Sequence, residues 1–308
     1  MPNLQSLSEI AAPFIALISL VIVGMWTKHR GIISDKGQSE LTDFVLDISM
    51  PALVFVSIAG DTSQEMLLQA PVVILAAVSI ILLGYVLARL SAPILGLETR
   101  QRLVFELETA FPNTGFLGIP VNALLFGTPG AFFAILCDLG LMLLFFSFSA
   151  WILDRSQIRK NWRKMLINPI NIAILAGLVP ALAGWQIPNL FMDSIRMLGE
   201  VTIPLGLLLV GLMAVPITVE REQSRIIGWT AFLRLLVIPA IVFAITRWVQ
   251  LPHPVGAVIV LEAAMPAFAG GPILAQKHGA DHRLAASTTV LTTLMATVTL
   301  PLFALLVT

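Results

Sequence analysis

Four acidic residues in this chain stand four positions ahead of a proline, each inside an apolar run: Asp47 before Pro51, Glu108 before Pro112, Glu200 before Pro204 and Glu262 before Pro266. Proline removes a backbone donor and its ring clashes with the preceding turn, so each pair sets a carboxylate beside a loosened carbonyl ladder. A charge inside a bilayer is costly and usually serves function. Glu108 and Glu262 are therefore candidates for sensing a coupling proton or ion. Their alternative role is to bond freed backbone groups and hold the chain together, and Asp47 and Glu200 share these two readings. Asp138 follows Cys137 in an otherwise apolar run and must face a helix bundle or a cavity, as a cation or proton group does. Cys137 reads as a small packing residue and Glu106 as a solvated helix-end charge. Arg234 is expected to snorkel to the interface, with attraction of an anion as its alternative. Thr288, Thr289, Thr292 and Thr293 either line a polar path or bond within their own helix. The four histidines have no metal spacing, and neither a metal nor a cofactor is expected.

Two of the prolines sit in stretches that cannot form one continuous helix. The first reads ETAFPNTGFLGIPVN, from Glu108 to Asn122, and the second LEAAMPAFAGGPILA, from Leu261 to Ala275. Asn113 and Thr114 offer oxygens suited to capping a new helix, and the spacing predicts a break at 112–114. Counted from Arg102, that break lies roughly 16 Å deep at 1.5 Å per residue, near the middle of a core about 30 Å thick. Irregular backbone at this depth is tolerated only when protein buries it or a cavity hydrates it. The half-helix N-termini near Asn113 and Ala267 would aim amides and positive dipole ends at an anion. The half-helix C-termini near Phe111 and Met265 would offer carbonyls to a cation. Expected substrate-site residues are Pro112, Asn113, Thr114 and Gly115 in the first stretch, with Pro266, Ala267, Gly270 and Gly271 in the second.

The elements that must position these groups follow from composition. Of the 308 residues 57% are hydrophobic and 12% charged, and the formal net charge is zero. Mean hydropathy is +0.93. A soluble domain of this size could not hide so much apolar surface, and the charge balance argues against a nucleic-acid partner. The basic flank comes after the first apolar stretch, the reverse of a secretory signal peptide, so that stretch reads as a membrane span. Ten apolar segments are predicted, near 9–26, 39–60, 69–89, 102–126, 130–152, 167–185, 194–217, 226–248, 253–276 and 284–306. Of the 18 Lys and Arg, all but Arg196, Arg234 and Arg247 fall in or beside loops that come after odd spans. By the positive-inside rule both termini lie outside.

The chain also matches itself at an offset of 153 or 154 residues: DISMP at 47–51 faces EVTIP at 200–204, and LETAFP at 107–112 faces LEAAMP at 261–266. Five spans per half is an odd number, so the halves must enter the membrane from opposite sides. The expected fold is an all-α polytopic membrane protein. It has ten transmembrane helices as a 5+5 inverted repeat, residues 1–153 and 154–308, with crossed broken helices 4 and 9.

FPNTGFLGIP (111–120), LEAAMPAFAGGPILAQKHG (261–279), DISMPALVF (47–55), NPINIAILAGL (168–178) and GEVTIPLGLLLVG (199–211) together resemble the auxin efflux carrier family, including its bacterial malonate- and malate-type permeases. The resemblance implies a scaffold of helices 1, 2, 6 and 7, often dimeric, and an elevator-like transport domain of helices 3–5 and 8–10. It implies a small organic anion as substrate and places Asn113 at the substrate site. Many relatives carry a second asparagine in helix 9, where this chain reads AFAGG, and the central loop from Asp154 to Leu166 is short and basic, as in bacterial members. The expected protein is a secondary carrier of the bacterial inner membrane, coupled to protons or sodium. No phosphate-binding loop for ATP and no hydrolase constellation occurs, so an enzyme is not expected. The alternative is a membrane receptor that senses a ligand in the same pocket without transport.

Overall fold

The computed structural model describes residues 4–60, 63–153, 169–185, 187–213, 215, 223–277 and 279–307. Every regular element among them is helical, apart from one isolated antiparallel bridge between Pro112 and Ala267. In chain order the elements are α1 (Leu4–His29), α2 (Asp35–Ala59), α3 (Gln64–Leu95), α4 (Thr99–Ala110), α5 (Ile119–Leu153), α6 (Pro169–Ala183), α7 (Asn189–Glu200), α8 (Thr202–Met213), α9 (Ser224–Val249), α10 (Val255–Ala263), α11 (Gly271–Lys277) and α12 (His282–Val307).

Among the described residues six stretches are long and apolar enough to cross a membrane: Asp35–Ala59, Gln64–Leu95, Thr114–Leu141, Asn189–Met213, Ser224–Val249 and His282–Val307. Helix α6 is apolar but shorter. Two expected spans do not count as single rods because proline and glycine divide them. Residues 111–113 separate α4 from the turn that starts at Thr114, and residues 264–270 separate α10 from α11. Within α5 the helical path turns at Gly127, whose φ of 63° and ψ of −148° suit a residue without a Cβ. The expected boundary between halves, with the loop Asp154–Leu166, lies outside the described residues.

Three π-type turns, Val45–Ser49, Thr114–Gly118 and Leu233–Val237, each run directly into a helix whose second residue is proline: Pro51, Pro120 and Pro239. The proline ring would strike the carbonyl four residues back, and widening that turn relieves the clash. The cause is local and is written in the sequence.

Packing divides the helices into two groups. Helix α1 lies on α8, and α2 lies on α6 and α7. In the second group α3 packs on α4 and α5, α9 on α10 and α12, and α10 on α3, α5 and α12. Helices α1 and α8 meet backbone to backbone: a Cβ at Gly211 would fall 2.0 Å from the Val21 carbonyl oxygen, and one at Gly24 would fall 2.2 Å from that of Leu208. No rotamer change relieves a clash with a backbone atom. Gly211→Ala is therefore expected to cost about 1–3 kcal/mol, read as a lower thermal midpoint in lipid nanodiscs. Gly228→Ala, with nothing within 4 Å of its added methyl, is the control and should leave the midpoint in place.

Candidate functional site

The two interruptions meet. The Asn113 amide donates to the Pro266 carbonyl at 2.8 Å, beside the Pro112–Ala267 bridge. Around this meeting point, Phe111, Asn113, Thr114, Met265 and Ala267 are all buried. Two backbone segments that could not satisfy each other's polar groups would be untenable in an apolar interior. The short bridge supplies part of that satisfaction.

Arg234 supplies much of the rest. It is fully buried, in the π-type turn of α9, and its guanidinium donates to carbonyls of both interrupted segments. Nε reaches Met265 O at 3.1 Å and one terminal nitrogen reaches Ala263 O at 2.6 Å. The other terminal nitrogen lies 3.2 Å from Thr109 O and 3.4 Å from Ala110 O. The expectation that Arg234 snorkels to the interface is corrected here. Two half-helices, α4 and α10, end at one point, and their last carbonyls and partial negative charges hold a cation in place. The carbonyls at these C-termini accept from the protein's own guanidinium. Its planar fork spans both ends at once, which a lysine could not do.

The carboxylates cross over in a reciprocal pattern. Glu108, just before the first break, packs on Gly271, just after the second: a Cβ there would lie 1.9 Å from Glu108 Oε1. Glu262, just before the second break, packs on Gly118, just after the first, where a Cβ would lie 2.5 Å from both carboxylate oxygens. Glu108 accepts from the Thr289 hydroxyl at 3.3 Å and Glu262 from the Asn122 amide at 2.7 Å. In each acid the other oxygen, Oε1 of Glu108 and Oε2 of Glu262, is buried with no hydrogen-bond partner. Asp138 accepts from Thr114 at 2.5 Å and lies 3.3 Å from where a Gly115 Cβ would be. A small cavity of about 10 Å³, room for roughly one water, lies among Pro112, Thr114, Cys137, Leu141 and Glu262.

The N-terminal sides of the two breaks differ. Asn113 stands at the cap position of the segment from Thr114 but makes no capping bond, and its side-chain oxygen has no partner. Thr114 turns instead to Asp138. The first amides of that segment thus lack a side-chain cap. In the second half the Ala267 amide donates to Thr292 Oγ1 at 3.2 Å. Gly270 and Gly271 form a turn in which the Gly271 amide donates to Phe268 O at 3.0 Å.

Other acids lie apart from the meeting of the two interruptions. Asp47, in the π-type turn of α2, and Glu200, at the end of α7, are both exposed. Glu106, read from sequence as a solvated helix-end charge, is buried and paired with Arg102 at 2.8 Å and Arg89 at 3.1 Å. Thr288, Thr292 and Thr293 bond back to carbonyls of α12, while Thr289 faces Glu108 and Phe268 O. Thr289 and Thr292 belong to the threonines expected to line a polar path or bond within their own helix, whereas Asn122 is a site residue that the sequence analysis does not name. For Asn122 a signal existed: it lies one helical turn beyond Gly118, on the same face.

The family model described as membrane transport protein matches residues 10–155 and 154–304. An uncharacterized transporter of Methanocaldococcus jannaschii is 26% identical over 290 residues, covering 90% of this chain and 92% of that protein. An uncharacterized transporter of Methanothermobacter thermautotrophicus is 26% identical over 294 residues, covering 94% and 95%. Auxin efflux carrier component 8 of Arabidopsis thaliana is 29% identical over 112 residues, 35% of this chain and 30% of that protein. With both matched segments together spanning nearly its whole length, the chain belongs to the membrane transport protein family, that of the auxin efflux carriers, and is a membrane transporter rather than an enzyme.

Proposed function

We propose that this protein is a secondary carrier of a small organic anion, a mono- or dicarboxylate of the size of malonate or malate. The observation that carries this reading is the meeting of two interrupted segments at Asn113 and Pro266, where the helix start at Thr114 lacks a side-chain cap and Asn113 keeps an unpartnered oxygen. Amides at a helix start suit a carboxylate, and a break in mid-membrane suits a site reached alternately from two sides. In this proposal Pro112, Asn113, Thr114, Gly115, Pro266, Ala267, Gly270 and Gly271 surround the substrate. Glu108, Glu262 and Asp138 answer to the coupling proton or sodium ion, while Asp47 and Glu200 serve the supporting helices.

The fold proposed with it is ten spans as a 5+5 inverted repeat with helices 4 and 9 crossed. Helices 1, 2, 6 and 7 form a scaffold that dimerises, and the remaining six move as an elevator. The partition of contacts into an α1–α8 and α2–α6–α7 group and a group around the crossing supports this division. The location proposed is a bacterial inner membrane with both termini outside.

The test is uptake of labelled malonate or malate by proteoliposomes, with a proton gradient, a sodium gradient or neither. Uptake should be gradient-dependent and saturable, and Asn113→Ala should lower it about tenfold, the loss of one or two directed hydrogen bonds. Unchanged uptake in Asn113→Ala removes the site assignment. Ligand binding with no flux removes the carrier reading.

A further inference from the structure

Among the described residues five charged side chains are buried: Glu106, Glu108, Asp138, Arg234 and Glu262. Glu106 is balanced by Arg89 and Arg102. The other four gather at the crossing, three acids against one guanidinium. Arg234 gives its hydrogen bonds to four carbonyls and none to a carboxylate. Fully ionised, the crossing would hold two negative charges in excess in an apolar interior, with no second buried cation among the described residues. Burying uncompensated charge is prohibitive, and acids so placed take up protons instead.

We propose that this conformation carries two protons on Glu108, Asp138 and Glu262, with Glu262 facing the small cavity beside Thr114. The proposal deepens the carrier reading, on which it rests for its meaning, by naming the coupling ion as the proton rather than sodium. Thr114 bonds Asp138 and lines the same small cavity as Glu262. Buried around a single guanidinium, Glu262 and Asp138 cannot both stay charged. The groups facing them from neighbouring elements are Arg234 on α9, Cys137 and Asn122 on α5, and Thr114 in the π-type turn.

A hard cation is poorly served at the same place. It takes about six oxygen ligands. The four carbonyls at the half-helix ends are taken by Arg234, one Asp138 oxygen accepts from Thr114, and one Glu262 oxygen accepts from Asn122. The cavity of about 10 Å³ has room for roughly one water, not for an ion with its shell. A proton needs no shell, and the unpartnered Glu262 Oε2 is where it can sit.

The experiment is infrared difference spectroscopy of the full chain in lipid nanodiscs without substrate, reading the carboxylic-acid C=O stretch across a pH titration. Wild type should show protonated carboxyl intensity at neutral pH that persists in saturating sodium chloride. Glu262→Gln and Asp138→Asn should each lower it by about half, because each removes one of the two excess charges that hold a proton. Should Glu262→Gln fail to fold, Asp138→Asn and Glu108→Gln carry the same comparison. Absence of the band at neutral pH, its loss on adding sodium, or full intensity in both Glu262→Gln and Asp138→Asn overturns the proposal. The measurement needs no transported substrate, so it stands or falls apart from the uptake of labelled malonate or malate.

Discussion

Arg234→Ala is expected to abolish transport and to destabilise the protein by about 4 kcal/mol or more. The effect arises from one point in the fold. Four carbonyls, Thr109 and Ala110 from α4 with Ala263 and Met265 beside α10, share this one donor group in a fully buried place. Each carbonyl left without a partner costs about 1–3 kcal/mol, and removing the charge also releases two half-helix ends whose partial negative charges then repel. Arg234→Lys keeps the charge but reaches fewer carbonyls, and is expected to fall between wild type and alanine. Arg234→Met keeps most of the volume and should match alanine, which separates the lost donor from a simple cavity. Thermal unfolding in nanodiscs and uptake in proteoliposomes give the two readings. An Arg234→Ala protein with wild-type stability and flux would show that the guanidinium does not hold the two interrupted segments together.

The second large effect is expected at the two reciprocal glycines. Gly118→Ala and Gly271→Ala each place a methyl where a carboxylate now lies, Glu262 in the first and Glu108 in the second. The clashing atoms are the far ends of glutamate side chains, so the acid can swing away. Stability should fall by only about 1–3 kcal/mol, the usual cost of overpacking. Flux should fall about a hundredfold, because the displaced acid leaves its partner, Asn122 for Glu262 and Thr289 for Glu108. Small displacements of positioned groups cost that much in enzymes, and the same geometry governs a carrier's site. Shortening the acid should restore room: Glu108→Asp is expected to recover part of the flux lost in Gly271→Ala, although it lowers flux alone. A cycle with purely additive effects would mean that the two residues do not act on each other.

Much of the local plan was legible in the residues. Proline and glycine act through their own backbones, so the interruptions at 111–113 and 264–270 follow from PNTG and MPAFAGGP without knowledge of any neighbour. The break expected at 112–114 arrives within a residue of its place, since α4 ends at Ala110 and the next turn starts at Thr114. The three π-type turns ahead of Pro51, Pro120 and Pro239 are equally local. Capping was less legible. Asn113 and Thr114 are good capping residues, yet Asn113 makes no capping bond and Thr114 turns instead to a carboxyl oxygen of Asp138 on α5. A strong tertiary partner overrides a weak local preference.

By composition and punctuation alone, the sequence determined that the chain is helical and apolar, where its helices break and which acids stand beside the breaks. Those properties depend on hydrophobic surface and on backbone covalent structure, and both are carried residue by residue. Only the tertiary structure decided what the acids and the arginine do. Glu262 meets Asn122 across 140 positions, Arg234 meets Thr109 across 125 and Glu108 meets Thr289 across 181. No periodicity within a helix encodes such pairs. They arise because two interrupted segments must bury their loose carbonyls and amides against each other. Whichever charged group reaches those ends first in space, not in sequence, becomes their partner.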